Sequence, residues 1–369
     1  MKKKPHPAPT AKKHHLITDD LREKIRGEVW QGRVPGQREL SRVYDVNFLT
    51  VRKAVATLVS EGLVTRQPGK GTFVTRLRRQ RTRNLAAVLG GLAHGFGGQH
   101  SALIQGIQEE AGKFQHDLIF RPHHGDSRVE QRTIADLIQR EKVDGMLVWP
   151  THRESSRAIE LLQAHRIPFV VVMRVDAASK DSVSYVVDDD LRGGCLATKH
   201  LLDLGHRRIG YVSSTATPEA GEYYEELRWQ GFIRAHDQAG IAPGPRIAAD
   251  WLKDGSESLK PFSKRFVSLL ENLSAVVCVN DRIALRLLNL PRFSARQIPG
   301  NLSIVGYDDM EAAELFNLTT VHQPMRQIGA EAVRLLLEDI EGRRPHVTHR
   351  QLAPRLVVRG STAAPANLA

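Results

Sequence analysis

Cysteine is almost missing from this chain. Cys195 and Cys278 are the two present in 369 residues. Both sit in apolar stretches and read as buried thiols, which leaves neither a disulfide framework nor a cysteine metal pair. Also lacking is an apolar run of the roughly 20 residues that a membrane-spanning helix needs, so no membrane partner is expected. The opening MKKKPHPAPTAKKHH is basic but leads into no apolar stretch and no small-residue cleavage site. A secretory signal is therefore not expected, and the expected compartment is the cytoplasm. The glycine-rich GGLAHGFGG at 90–98 has no Gly-Lys-Ser or Gly-Lys-Thr to make a phosphate-binding loop. His14–His15 and His123–His124 have no partners at metal-ligand spacing and read as solvated. The run Asp188–Asp189–Asp190 reads as capping and crossover structure rather than a cation site. No catalytic triad, paired carboxylates or cofactor box stands out. Neither enzymatic activity, nor a cofactor, nor a metal is expected.

What is present is an uneven distribution of charge. Residues 1–84 hold 8 Lys and 12 Arg against 7 acidic residues, a net +13, while the other 285 carry 33 basic and 34 acidic residues. The formal +12 of the whole chain is thus a property of its N-terminal end. A basic module joined to a neutral body suggests that one end meets a polyanion and the other does something else. At this length two or three domains are expected, and 41% hydrophobic residues can supply their cores.

The basic end is patterned. Residues 1–15 read as a disordered tail. Leu21, Ile25 and Val29 recur at helical spacing after a capping Thr18. A short second helix follows Pro35 and Gly36, with Leu40 and Val43 facing inward. Asn47 then caps a third helix whose buried stripe is Val51, Val55, Leu58 and Val59. Leu63–Arg66 and Thr72–Thr75 read as strands around a glycine-containing turn. Three helices and a hairpin make a winged helix-turn-helix, which places its third helix in the major groove and its wing along the backbone or minor groove. Phe48, Arg52 and Lys53 fall off the buried stripe. Arg52 can take guanine in two parallel hydrogen bonds, while Thr50 and Lys53 suit phosphate, and the wing tip at Lys70–Gly71 must turn tightly near DNA.

The stretch VPGQRELSRVYDVNFLTVRKAVATLVSEGLVTRQPGKGTFV resembles the GntR family of bacterial regulators. Three separated motifs of that family's DNA-binding domain occur in order over about 60 residues. The resemblance puts Arg38, Thr50, Arg52 and Gly71 at DNA-contacting positions. The chain departs from the family at Gly36–Gln37, where Ser-Glu is usual, which weakens the cap of the second helix. The connection between the first two helices is a few residues short. Asn47–Phe48 stands where Ser-Arg is typical, which removes one guanine-reading arginine. Phe48 either touches a thymine methyl or packs against Leu49 or the second helix. Residues 76–84 form an Arg-rich linker, read as a phosphate-tracking tether or a soluble spacer.

From residue 85 short apolar runs alternate with amphipathic segments, the pattern of parallel α/β sheets. VVVDDDLRGGCLATKHLLDLGHRRIGYV, RWQGF at 228–232, AVVCVND at 275–281, IPGNLSIVGYDDMEAAELFNLTTV at 298–321, IGAEAVRLLLEDIEG at 328–342 and LVVRGST at 356–362 resemble the lactose- and galactose-repressor family. That resemblance implies a two-subdomain periplasmic-binding-protein-like α/β body over 85–362, with a tail at 363–369. Crossovers are expected near 188, 296 and 322. Subdomain 1 then holds about 85–188 and 297–321, and subdomain 2 about 189–296 and 322–362. Arg228 and Asp281 fall on the family's polar clamp positions for a small effector in the cleft; Asp281 also reads as a helix N-cap. Arg174 and Asp176, after the strand Phe169–Val172, read as cleft residues. Phe96, in the first strand–helix loop, and Trp251 read as stacking residues for a sugar-like ligand.

The fold class expected is α/β, an N-terminal winged helix-turn-helix followed by that body. The function expected is a ligand-responsive regulator, a homodimer on double-stranded operator DNA with a sugar-like effector, similar to hybrid arabinose-responsive regulators. Competing readings are a solute-binding protein for transport, which shares the body fold, and a GntR-headed enzyme with an aminotransferase-like body.

Overall fold

The computed structural model describes residues 13–26, 30, 33–61, 63–67, 70–74, 82–90, 98–123, 126–141, 143–150, 156–175, 179–214, 223–249, 264–289, 298–343 and 346–365. The chain divides into two compact units, Met1–Arg81 and Thr82–Ala369. Most of the expected tail (1–12) and linker (76–81) lies outside the described residues.

In the first unit α1 (Lys13–Arg26) starts before Leu16, so residues 13–15 are helical rather than tail. Thr18 lies inside the helix, and its hydroxyl donates back to the His14 carbonyl at 2.7 Å. That bond to the preceding turn takes the place of the cap expected from sequence. A two-residue strand β1 (Arg33–Val34) precedes α2 (Gln37–Val43) and α3 (Phe48–Ser60), and β2 (Val64–Gln67) and β3 (Gly71–Val74) follow. β3 is central in this three-stranded sheet, antiparallel to both β1 and β2. Leu21, Ile25, Leu40, Val51, Ala54, Val55 and Leu58 close the core between the helices. Val43, expected inside, is 66% exposed. It ends a seven-residue helix, and Val46 in the following turn packs against the core instead. Gly36 offers α2 no side-chain cap, as its departure from the family pattern implies, but its N–H donates to Glu39 Oε2 at 3.3 Å, which keeps half of a capping box.

The second unit opens where Asp144 grips the incoming chain. Its carboxylate accepts the Thr82 and Arg83 N–H groups at 2.9 Å each and the Thr82 hydroxyl at 3.0 Å. Residues 82–84 therefore belong to the body rather than to a free linker. The chain then runs β4 (Asn84–Leu89), α4 (Gly98–Lys113), β5 (Asp117–Pro122), α5 (Ser127–Asp136), β6 (Gly145–Trp149), α6 (Ser156–Ala164), β7 (Phe169–Val172), β8 (Tyr185–Asp188) and α7 (Asp190–Asp203). It continues through β9 (Ile209–Ser213), α8 (Tyr223–Ala239), β10 (Arg246–Ala248), α9 (Lys264–Glu271), β11 (Ala275–Cys278) and α10 (Asp281–Leu288). Last come β12 (Ser303–Asp308), the helix Glu311–Leu315, β13 (Thr319–His322), the helix Met325–Ile340, β14 (His349–Leu352) and β15 (Arg355–Val357).

These strands form two six-stranded sheets, ordered β14-β8-β7-β6-β4-β5 and β10-β9-β11-β12-β13-β15. Every pairing is parallel except β15 against β13. Sheets covered on both faces need continuous apolar strands, and Leu85–Leu89 and Ala275–Cys278 are buried throughout. The buried His123, whose Nε2 lies 3.0 Å from the Trp149 carbonyl, corrects the expectation that the His123–His124 pair is solvated.

The subdomain boundaries also need correction. β12 follows β11 through α10 as an ordinary parallel neighbour, with Val276 opposite Ile304, so the segment 303–321 stays in the second sheet. The helix Met325–Ile340 instead packs Ile328, Ala332, Leu335 and Leu336 into the core of the first sheet, which β14 then extends. The chain passes between the sheets at 188–190, 322–325 and 352–355. The crossover expected near 296 is therefore replaced by one after β14.

Candidate functional sites

On the first unit the useful surface is what the core leaves over. Asn47 caps α3, its Oδ1 accepting the Leu49 N–H at 2.9 Å. With Val51, Ala54, Val55 and Leu58 turned inward, Phe48, Leu49, Arg52, Lys53, Ala56 and Ser60 are exposed. Residues four apart share a helix face, so Phe48 stands in a row with Arg52 and Leu49 with Lys53. Thr50 is half-buried, and Arg38 on α2 is exposed. At the wing tip Lys70 is exposed, and its N–H donates to the Gln67 carbonyl at 3.0 Å. Gly71 has φ 120°, and a Cβ there would meet Arg33 Nε at 2.9 Å. Arg33 reaches the wing because β1 pairs with β3, and together with Arg42 and Arg66 it adds exposed cations that sequence reasoning missed. A two-residue strand carries no periodic signal by which Arg33 could have been found. The result is a helix and a hairpin that both present positive charge, as a phosphate backbone requires.

In the body, α7 and α8 approach so closely that a Cβ on Gly194 would run into the Arg228 carbonyl, and one on Gly231 into that of Leu191. The contact sets the backbone of Arg228 against Gly194, in the second turn of α7. Its guanidinium is buried: Nε donates to Asp190 Oδ1 at 2.7 Å and Nη1 to the Val279 carbonyl at 2.7 Å, with Asp308 at 3.6 Å. It also lies over two rings, 3.5 Å from the Tyr307 centroid and 4.6 Å from that of Tyr224. Arg174, half-buried after β7 of the other sheet, sits 5.5 Å from the same Tyr224 ring. Tyr224 thereby brings together two side chains expected in the cleft, one from each subdomain.

Asp281 is fully buried. Oδ1 accepts the Thr320 hydroxyl at 2.6 Å and Oδ2 the Met310 N–H at 2.8 Å. Asn280, not Asp281, is the N-cap of α10. Asp281 thus secures the turn after β12, where Asp308 and Asp309 take the unfavourable φ values of 123° and 55°. Arg359 at 2.7 Å and His322 at 2.9 Å hold the Asp309 carboxylate from the sides. Such backbone conformations persist only where the surroundings over-determine them.

The acidic triplet divides its work. Asp189 caps α7 by accepting the Arg192 N–H at 3.0 Å. Asp188, at the first crossing, accepts from the Tyr307 hydroxyl at 3.1 Å and from Gln323 Nε2 at the second crossing at 3.0 Å. Asp190 pairs with Arg228. Burial, reinforced by the neighbouring charge of Asp188, pushes the Asp190 carboxyl up to about 7 against the opposing pull of Arg228. Burial raises Asp281 to about 7 as well, with the bonds from Thr320 and Met310 working the other way. The expectation of capping and crossover structure holds for Asp189 and Asp188, and Asp190 adds the pairing with Arg228. Asp188, Asp190, Asp308, Tyr224, Tyr307 and Gln323 are joined to Arg228 directly or through one another. Phe96, Asp176 and Trp251 lie outside the described residues.

Known proteins resemble both units. The family described as bacterial regulatory proteins, gntR family, matches residues 15–74, and the periplasmic binding protein-like domain matches 198–362. An arabinose metabolism transcriptional repressor of Halalkalibacterium halodurans is 28% identical over 95% of this chain and 96% of its own. An HTH-type transcriptional repressor PurR of Vibrio vulnificus is 31% identical over 70% of this chain and 76% of its own. Among solved structures, a LacI family transcriptional regulator from Enterococcus faecium with bound ribose superposes with a TM-score of 0.60. It is 27% identical and covers 76% of this chain and 99% of its own. No helix among the described residues is long and apolar enough to cross a membrane.

Proposed function

The chain belongs to the bacterial transcription regulators that join a GntR-type winged helix to a LacI-type, periplasmic-binding-protein-like body, and we propose that it is a sugar-responsive repressor acting in the cytoplasm as a homodimer. The observation that carries this reading is the coexistence in one chain of two devices. One is a third helix that exposes Arg52 and Lys53 beyond its buried stripe; the other is a pair of sheets hinged by three chain crossings. The transport reading is set aside by the gntR-type head, and the relatives are regulators rather than enzymes.

In this mechanism Arg52 reads guanine, while Lys53, Thr50, Arg38 and the wing residues Lys70 and Gly71 hold the phosphate backbone. Asn47 sets the helix start. In the body a small polyhydroxyl ligand enters between the subdomains, where Arg228 and Arg174 donate to its hydroxyls and Tyr224 covers a C–H face. The Arg228 charge is already matched by Asp190 at 2.7 Å and Asp308 at 3.6 Å, which favours a neutral sugar over an anionic ligand. Asp281 serves by positioning the 308–310 turn. Phe96, Asp176 and Trp251 stay in the proposal as loop contacts from the sequence. Ligand closes the cleft about the three crossings and changes the spacing of two heads on paired half-sites, so DNA affinity and ligand affinity are linked.

Selection of fragments from sheared genomic DNA by the purified full chain, with and without a panel of neutral pentoses and hexoses, tests this. Enrichment of a few sites with inverted half-sites, altered by one sugar that also raises the melting temperature, is the expected result. Retention of unrelated sequences in every condition, with no sugar shifting the melt, would sink the reading.

A further inference from the structure

Three large apolar side chains remain in water around the turn between α2 and α3. Val43 is 66% exposed, Phe48 40% and Leu49 58%. The core does not need them, since Leu40, Val46 and Val51 fill the adjoining space. Singly exposed apolar residues are ordinary. Here, however, two of them open a helix, each one turn ahead of a cation on the same face, Phe48 ahead of Arg52 and Leu49 ahead of Lys53. A protein partner covering this face would bury both cations. The major groove instead offers each side chain a match: a guanine edge for Arg52, phosphate oxygens for Lys53, and for Phe48 and Leu49 the apolar group it contains, the thymine methyl. The Asn47 carboxamide oxygen is occupied by the cap, so Phe48 is the first free side chain to protrude from the helix.

We infer that Phe48, flanked by Leu49, reads a thymine methyl, so that each operator half-site carries a T where a guanine-reading arginine would demand G. One helical turn is about 5.4 Å and base pairs rise about 3.4 Å, which puts that T one or two pairs from the G read by Arg52. The inference rests on the DNA-regulator reading above and adds base preference to it.

Selection from random duplexes with the full chain, followed by titration of the selected site, supplies the test. The wild type should select T at the stated spacing from G. Replacing that T by deoxyuridine, which removes the methyl alone, should weaken binding about fourfold per half-site. Phe48→Ala should bind the T and U sites equally, and Phe48→Arg should select G in place of T. A defined operator bound equally with T or U by the wild type overturns the inference and leaves the regulator reading standing. Failure to enrich any sequence, with or without the sugar panel, removes both. A changed sedimentation coefficient for Phe48→Ala, with base preference intact, would reassign the patch to a protein contact and overturn the inference as well.

Discussion

Arg52 and Arg228 are the same residue type in opposite circumstances. Arg52 stands exposed on α3 with the core behind it. Arg228 is buried, bridged to Asp190, bonded to the Val279 carbonyl and placed over two tyrosine rings. The head keeps this arginine apart from what holds it folded, and the body makes its arginine part of the folded structure. A binding face that ends in solvent can change without unsettling its support. A buried set of paired charges cannot change one member without disturbing the others.

The largest expected effect breaks the buried half of this comparison. Arg228→Ala leaves Asp190 and Asp308 buried without their cation, and removing one member of such a set costs about 3–5 kcal/mol. Urea unfolding of the body should show that loss together with the disappearance of any ligand response; an unchanged midpoint would mean that the pairing contributes nothing. Arg52→Ala, the matched substitution on the head, should cost about 1–3 kcal/mol of specific DNA binding. Its melting temperature and ligand response should match the wild type, and a comparable loss of fold stability would erase the contrast between the two arginines.

A third effect concerns protons. Asp281 sits at about 7 in the folded protein because of burial, against about 3.9 in an unfolded chain. Between those values the native state holds a proton that the unfolded state has released. The group's contribution to stability is therefore fully present below about pH 4 and lost as pH rises through 7. Asp281→Asn does not titrate. Its Oδ1 can keep the Met310 N–H while Nδ2 donates to the Thr320 hydroxyl. The stability of the wild type relative to this variant should decline from pH 4 to 7 and level off above. A rising difference over the same range would contradict the burial of that carboxyl.

The same contrast explains what was legible in the sequence. On the head, Phe48, Arg52 and Lys53 stood out from spacing alone as residues left off the buried helical stripe, and so did the Asn47 cap. Thr18 was misread because a threonine before an acidic pair looks like a cap, although its hydroxyl satisfies a carbonyl one turn back. Val43 fits a buried stripe in a helix too short to need it. In the body the strands showed as apolar runs, but sheet membership did not. β12 and β13 are chosen by neighbours that no local pattern names, and the crossover placed near 296 failed for that reason. Arg228 and Asp281 were picked out through family resemblance, and the structure buries both in hydrogen-bonded networks. Tyr307 and Gln323 were not picked out, because their bonds to Asp188 join residues more than a hundred positions apart.

The division of labour between Asn47 and Phe48 has a consequence for how such a protein changes over generations. Asn47 turns its side chain back to the helix start, and its neighbour faces outward. If Phe48 reads a base as inferred above, a single codon change at 48 alters which base the helix prefers without touching the bond that begins the helix. Duplicated copies of this gene could therefore diverge toward different operators by one substitution each, while the same body goes on responding to its effector.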